Sequence, residues 1–170
     1  MNVDLYERFW MWSSGGIIAV FIASIIYTSA AQSLQPPSHV ETIDPQTART
    51  SPGFAQPSVT LNADGSATVH IMAQMFAFLP TEIRVPRGQP ITFRMTSPDV
   101  IHGFQIVKTN GNAMVVPGYV TQFTTRFDTP GEYLIVCNEY CGLGHHIMFS
   151  TLIVEDDVEM AGDVGAGAGQ

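Results

Sequence analysis

At 170 residues the chain is long enough for one ordinary domain with additions. A formal net charge of −8, with only seven Lys and Arg, leaves no cationic surface for nucleic acid. The charge is unevenly placed: residues 1–56 hold four acids and two bases, residues 57–154 six acids and five bases, and residues 155–170 five acids and no base. The middle of the chain is therefore almost neutral, with no strong field to steer a charged macromolecule, and most of the acidity sits in a tail.

Residues 1–8 form a short polar flank ahead of a mostly apolar run over residues 9–31, FWMWSSGGIIAVFIASIIYTSAA, and no Asp, Glu, Lys or Arg occurs from Phe9 through Val40. About 20 such residues suffice to cross a bilayer, and Trp10 and Trp12 sit at the amino end, where aromatic belts anchor. A cleaved signal peptide is the rival reading, with Ile17–Tyr27 as its apolar core and Ser29-Ala30-Ala31 as its cleavage site. Asp4 and Glu7 beside a lone Arg8 make a poor basic leader, so a retained transmembrane helix is expected. Arg8 precedes the span and no base follows before Arg49, which predicts a cytoplasmic amino terminus and everything after the helix outside the cell membrane.

Residues 32–56 are rich in Pro, Ser, Thr and Gln without apolar periodicity and read as a linker or a wrapping segment. Residues 57–154 change texture to short β-type runs: SVTLN, SATVHIMAQ, TEIRV, PITFRMT, HGFQIVK, YVTQFTTRF, GEYLIV and MFSTLIV. Turn signals such as NADG, VPRGQP, TNGN and DTPG separate them, which predicts an all-β sandwich or Greek-key barrel. Residues 155–170, acidic and then Gly/Ala-rich, are expected to be a disordered tail.

Both cysteines of the chain lie in VCNEYCGLGHHIMF, residues 136–149. Cys137 and Cys141 are followed by His145 and Met148 at spacings of four and three. A disulfide is the plain reading for two cysteines in an exported domain, but a bridge closing so short a loop constrains little. Zinc could use Cys, Cys and His but has no use for a thioether. Thiolate, imidazole and thioether together suit copper, and SPDVIHGF supplies a second imidazole, His102, at the start of a strand. One copper with His102, one cysteine, His145 and a weak axial Met148 leaves a thiol unexplained. Two thiolates bridging two coppers, with one imidazole for each, use every soft ligand in the stretch.

The C-x-E-x-C-x-x-x-H-x-x-M pattern at Cys137, Glu139, Cys141, His145 and Met148, with His102 upstream, resembles subunit II of the heme–copper (cytochrome c) oxidases. The single span, SPDVIHGF and CGLGH are similar to the short, B-type branch. The resemblance implies a cupredoxin-like Greek-key β-barrel or sandwich carrying the dinuclear copper A centre. Cys137 and Cys141 would be bridging thiolates, His102 and His145 terminal imidazoles, and Met148 sulfur and the Glu139 carbonyl weak axial ligands. It further implies single electrons taken from cytochrome c or a small copper protein and passed to heme in subunit I. There, with its second copper site, oxygen is reduced and protons are pumped. The alternative is a free-standing anchored copper-binding or copper-delivery protein without an oxidase partner.

Further residues carry two readings each. His146 could replace His145, but the spacing to Met148 favours His145; His70, inside an alternating strand, and His39 read as structural or solvated. Asp99 is a brace for the copper loop or a turn residue after Ser97-Pro98. Phe76 in QMFAF falls where relatives place an aromatic, usually Trp, through which electrons enter, or it packs the core. The Glu139 carboxylate permits a magnesium ion shared with subunit I. Glu7 in LYERFW is the mouth of a proton path into subunit I, as the B-type resemblance implies, or a helix cap.

Overall fold

The computed structural model describes residues 4–32 and 41–156, which fall into two separate units, an amino-terminal helix and a β-domain. Helix α1 spans Leu5–Gln32, 28 residues, or about 42 Å at 1.5 Å per residue. It begins four residues before the apolar run predicted from sequence, because Leu5, Glu7 and Arg8 are good helix formers and no Gly or Pro interrupts the turn. Its large apolar side chains, Trp10, Trp12, Ile17, Phe21 and Ile25 among them, are exposed all round the helix. Among the described residues it is one helix long and apolar enough to cross a membrane.

The β-domain is a sandwich of two sheets. The first is ordered β1 (Glu41–Thr42), β9 (Tyr119–Arg126), β6 (Pro90–Thr96), β3 (Ala67–Gln74) and β2 (Val59–Leu61), with β4 (Ala77–Leu79) also paired to β3. The second is ordered β5 (Glu82–Pro86), β11 (Phe149–Glu155), β10 (Gly131–Val136), β7 (His102–Ile106) and β8 (Asn112–Val115). Two pairings, β3 with β6 and β5 with β11, are parallel, and the rest are antiparallel. This interleaving is the Greek-key arrangement that the strand spacing predicts.

Alternation decides which face is inside. Ala67, Val69, Ile71 and Ala73 of β3, Ile91, Phe93 and Met95 of β6, and Phe104 and Ile106 of β7 all point into the sandwich. Phe78, Phe93, Phe104 and Phe123 form its aromatic centre, with Phe93 5.6 Å from Phe104 and 5.2 Å from Phe123 between ring centroids. Burying one such ring stabilises by about 1.5–3 kcal/mol, whereas the exposed Arg84–Glu82 and Arg84–Glu155 pairs contribute under about 1 kcal/mol.

Two boundaries move. The segment expected as linker or wrap is, from Glu41 on, a wrap over the outer face of the first sheet: Ala48 and Phe54 are buried there with Met72 and Val120. Arg94 pairs with Glu41, Arg49 with Gln74, and Phe54 meets His70 edge-on at 5.4 Å. Burial, and then the neighbouring Arg94, lower the His70 pKa, so His70 is a neutral structural residue on this face. The apolar anchors of the wrap are too irregularly spaced to show as a periodic pattern. At the other end β11 runs to Glu155, and Asp156 pairs with Arg87 at 3.0 Å. The first two residues of the expected tail therefore belong to the domain. Residues 157–170 and His39 lie outside the described residues.

Candidate metal centre

His102 begins β7 with its side chain on the inner face, two residues before Phe104, and is wholly buried. Cys137 follows directly on β10, the neighbour of β7, and is inward and buried like Ile135. The pairing of β10 with β7 thus brings residues 35 apart in sequence to one end of the core. Cys141 and Met148 are buried beside them, and a short 3₁₀ turn over His145–Ile147 returns the chain into β11. The Cys137 N–H donates to the Met148 carbonyl at 3.2 Å, closing the loop on itself.

Both thiols are free, and their sulfurs stand 3.8 Å apart, against about 2.05 Å for a bonded pair. Each has its own imidazole: His102 Nδ1 lies 4.0 Å from Cys137 Sγ, and His145 Nδ1 lies 3.6 Å from Cys141 Sγ. The Glu139 carbonyl is 3.2 Å from Cys137 Sγ, and Met148 Sδ is 3.7 Å from Cys141 Sγ. The ligand atoms of His102, Cys137 and Cys141 all fall within 4.8 Å of one another, a group that could hold a metal ion. Burial pushes the Cys141 thiol up to about 11, and the adjacent Cys137 adds to the rise. Without metal the thiol therefore stays protonated at neutral pH, and a cation binding there must displace protons.

Asp99 organises the buried side. His102 Nε2–H donates to its carboxylate at 2.9 Å, which leaves the Nδ1 lone pair facing Cys137. The same carboxylate accepts from the Val100 N–H at 2.7 Å and the Met75 N–H at 2.8 Å, with the Ser97 hydroxyl at 3.0 Å. Burial acts to raise the Asp99 pKa, but the hydrogen bonds from His102, Met75, Val100 and Ser97 outweigh it and hold the carboxyl below its ordinary value. Asp99 is thus in contact with a candidate ligand.

Phe76, between β3 and β4, is half-buried, and its ring lies against the metal loop. A Cβ on Gly144 would come 2.5 Å from that ring, and one on Gly142, which has φ +126°, would come 3.0 Å from it. The two glycines of CGLG are the space the ring occupies. Their role was not foreseen, although CGLG itself was the visible signal. Around the loop Tyr140, Leu143, Ile147 and Met75 are exposed, Leu143 at 91%. The Glu139 side chain is exposed, as is His146. Glu7 lies in the first turn of α1, in the other unit.

Fold and donor set define the class: a cupredoxin-like domain with a soft, buried metal-binding end. Residues 54–156 match the family described as cytochrome c oxidase subunit II, periplasmic domain. The chain is 43% identical over 155 residues to a cytochrome c oxidase subunit 2 of Thermus thermophilus, covering 89% of this chain and 92% of that one. A second Thermus thermophilus protein of the same name is 44% identical over 123 residues, covering 71% of this chain and 91% of that one. Among solved structures, a heme-copper terminal oxidase dimer determined by cryo-EM contains a chain matching at TM-score 0.63 and 30% identity, over 88% of this chain and 99% of that one. The periplasmic domain of subunit II (CoxB) of Bradyrhizobium japonicum matches at TM-score 0.50 and 20% identity, over 60% of this chain and 88% of that one, a likeness of fold. The chain belongs to the cytochrome c oxidase subunit II family.

Proposed function

We propose that the chain is the subunit through which electrons enter a terminal heme–copper oxidase, and that its loop holds a dinuclear copper centre. The observation that carries this is the paired donor arrangement: two free thiols 3.8 Å apart, each with one imidazole and one weak axial atom at hand. The donor set fits copper, since thiolate, imidazole and thioether are its preferred soft ligands. Cys137, Cys141, His102 and His145 would hold the copper, which would supply one-electron transfer with little rearrangement of the surrounding protein.

The residues of the chain supply the rest. The burial of Cys137, Cys141, His102 and Met148 keeps water from the sulfurs, and Asp99 holds His102 in the tautomer that offers Nδ1. Phe76, touching the loop from outside, is the route by which an electron from cytochrome c or a small copper protein reaches the site. Helix α1 is the membrane anchor, amino terminus in the cytoplasm, and the β-domain works on the outer side of the cell membrane against a heme-bearing subunit I. The exposed Glu139 carboxylate is free to share a magnesium ion with that subunit. Glu7 is the mouth of a proton path there, and Glu7→Gln is expected to slow oxygen consumption at unchanged copper content; unchanged turnover would leave it a helix cap.

Metal analysis of the intact protein tests the centre. Two coppers per chain are expected, and Cys137→Ser or Cys141→Ser should each lose the dinuclear form. One copper per chain, with wild-type spectra in either variant, would refute the ligand assignment. Isolation without a heme-bearing partner would instead favour an independent copper carrier.

A further inference from the structure

Gly103 follows His102 in β7, and its Cβ position points to the outer face, away from the thiols. That position is filled. A Cβ built there would lie 1.9 Å from Asn138 Oδ1 and 2.7 Å from the Glu139 backbone nitrogen. Real Cβ atoms do not approach other atoms so closely, and one of the two contacts is to backbone, which cannot rotate away. The cause lies in the register. Ile135 pairs with Ile106 and Val136 with Gln105, and continuing that antiparallel order sets Asn138 across from Gly103. The Asn138 amide lies over the glycine and donates from Nδ2 to Asn112 Oδ1 at 3.2 Å. Asn112 stands on β8, the next strand of the same sheet, paired to Gln105.

The chain leaves β10 at Cys137, crosses the bare backbone of Gly103, and presents the Glu139 carbonyl 3.2 Å from Cys137 Sγ. Height above β7 at this crossing bears on where that carbonyl points, because the Glu139 nitrogen packed over Gly103 and the Glu139 carbonyl flank the same Cα, separated only by that residue's φ and ψ. We propose that Gly103 and Asn138 form a seat that positions the Glu139 carbonyl over the thiols: Gly103 by lacking a side chain, Asn138 by bolting the loop to β8. Gly103 and Asn138 are positioning residues, since neither offers a ligand to the metal. The proposal rests on the dinuclear reading above, and adds to it a reason why one axial donor is a backbone atom held at a fixed height.

The test uses the copper-loaded full chain and three readouts: copper per chain, the visible charge-transfer bands, and the midpoint potential. Gly103→Ala is expected to keep two coppers while shifting the bands and the potential, because the axial carbonyl is displaced and the thiolates and imidazoles are not. Asn138→Ala, which inserts nothing, is expected to shift the same signals less. A folded Gly103→Ala protein with wild-type bands and potential overturns the proposal. Loss of all copper from the folded variant also overturns it, since the glycine would then serve the whole loop rather than the carbonyl. If circular dichroism shows Gly103→Ala unfolded, Asn138→Ala decides, and wild-type signals there overturn the seat. Failure of the wild-type chain to bind two coppers would strike the dinuclear reading instead, so the two failures stay distinct.

Discussion

The two imidazoles of the site live under opposite conditions. His102 starts an inner strand, is wholly buried, and is gripped at Nε2 by a carboxylate that also accepts from the backbone of Met75 in a distant segment and of its own neighbour Val100. His145 rides a single 3₁₀ turn at the half-exposed edge, with the exposed Tyr140 ring 5.8 Å away as its neighbour. One side of the site is part of the folding core, and the other is a lid over it. For the proposed copper centre, which has to stay rigid yet be reached by a donor, the buried half would fix the thiols and the exposed half would bring the metal close to the surface.

The largest expected effect follows from that asymmetry. His102→Ala opens a cavity and withdraws a donor from the Asp99 carboxylate, so the copper-free domain should lose about 2–4 kcal/mol of stability. His145→Ala should cost the same copper-free domain under about 1 kcal/mol. Asp99→Asn falls between them, since it keeps an acceptor for His102 but turns an amide donor toward another N–H. Urea unfolding of the three variants without copper checks the order. Equal losses for the two histidines would show that the two halves are not distinct. With copper present, either histidine variant should lose the dinuclear spectrum.

Phe76 links the halves, because its ring touches the loop while the amide of the preceding Met75 donates to Asp99. Phe76→Ala is expected to slow electron uptake from the donor roughly tenfold, equal to about 1.4 kcal/mol of barrier, at two coppers per chain. Stopped-flow reduction measures it. An unchanged rate accompanied by a lower unfolding midpoint would leave Phe76 as packing alone.

The buried half was more legible in the sequence than its surroundings. Spacing and residue type singled out the soft donors, since a Cys, Cys, His, Met series in one loop has few other uses, and SPDVIHGF offered His102 at the start of a strand; that its side chain faces inward shows only in the structure. The hairpin of β3 and β4 and the strand β8 were not foreseen, because Ala77–Leu79 and Asn112–Val115 are too short to show a period between turn signals. The wrap over Met72 and Val120 was equally hidden, as it depends on Phe54 and Ala48 finding a surface made by strands far along the chain. Gly103 was in view within SPDVIHGF, yet its reason for being glycine appears only when β10 is laid beside β7. Local chemistry is written in local order; register across strands is not.

The smallest effect concerns the outer half as a docking surface. Residues 57–154 hold six acids and five bases, and of the exposed side chains about the loop Tyr140, Leu143 and Ile147 are uncharged, leaving Glu139 as the one carboxylate there. A donor meeting this surface should be held by apolar contact, with little long-range attraction to screen. The Debye length falls from about 30 Å at 0.01 M salt to about 8 Å at 0.15 M, which removes steering between distant charges and leaves contact burial intact. Donor oxidation should therefore slow by less than about threefold across that range. The acidic end of the chain could mask this, so the measurement belongs in a variant cut after Asp156, whose pairing with Arg87 keeps it part of the fold. A steep loss of rate in the shortened protein would place clustered charge, rather than apolar surface, at the point where the donor docks.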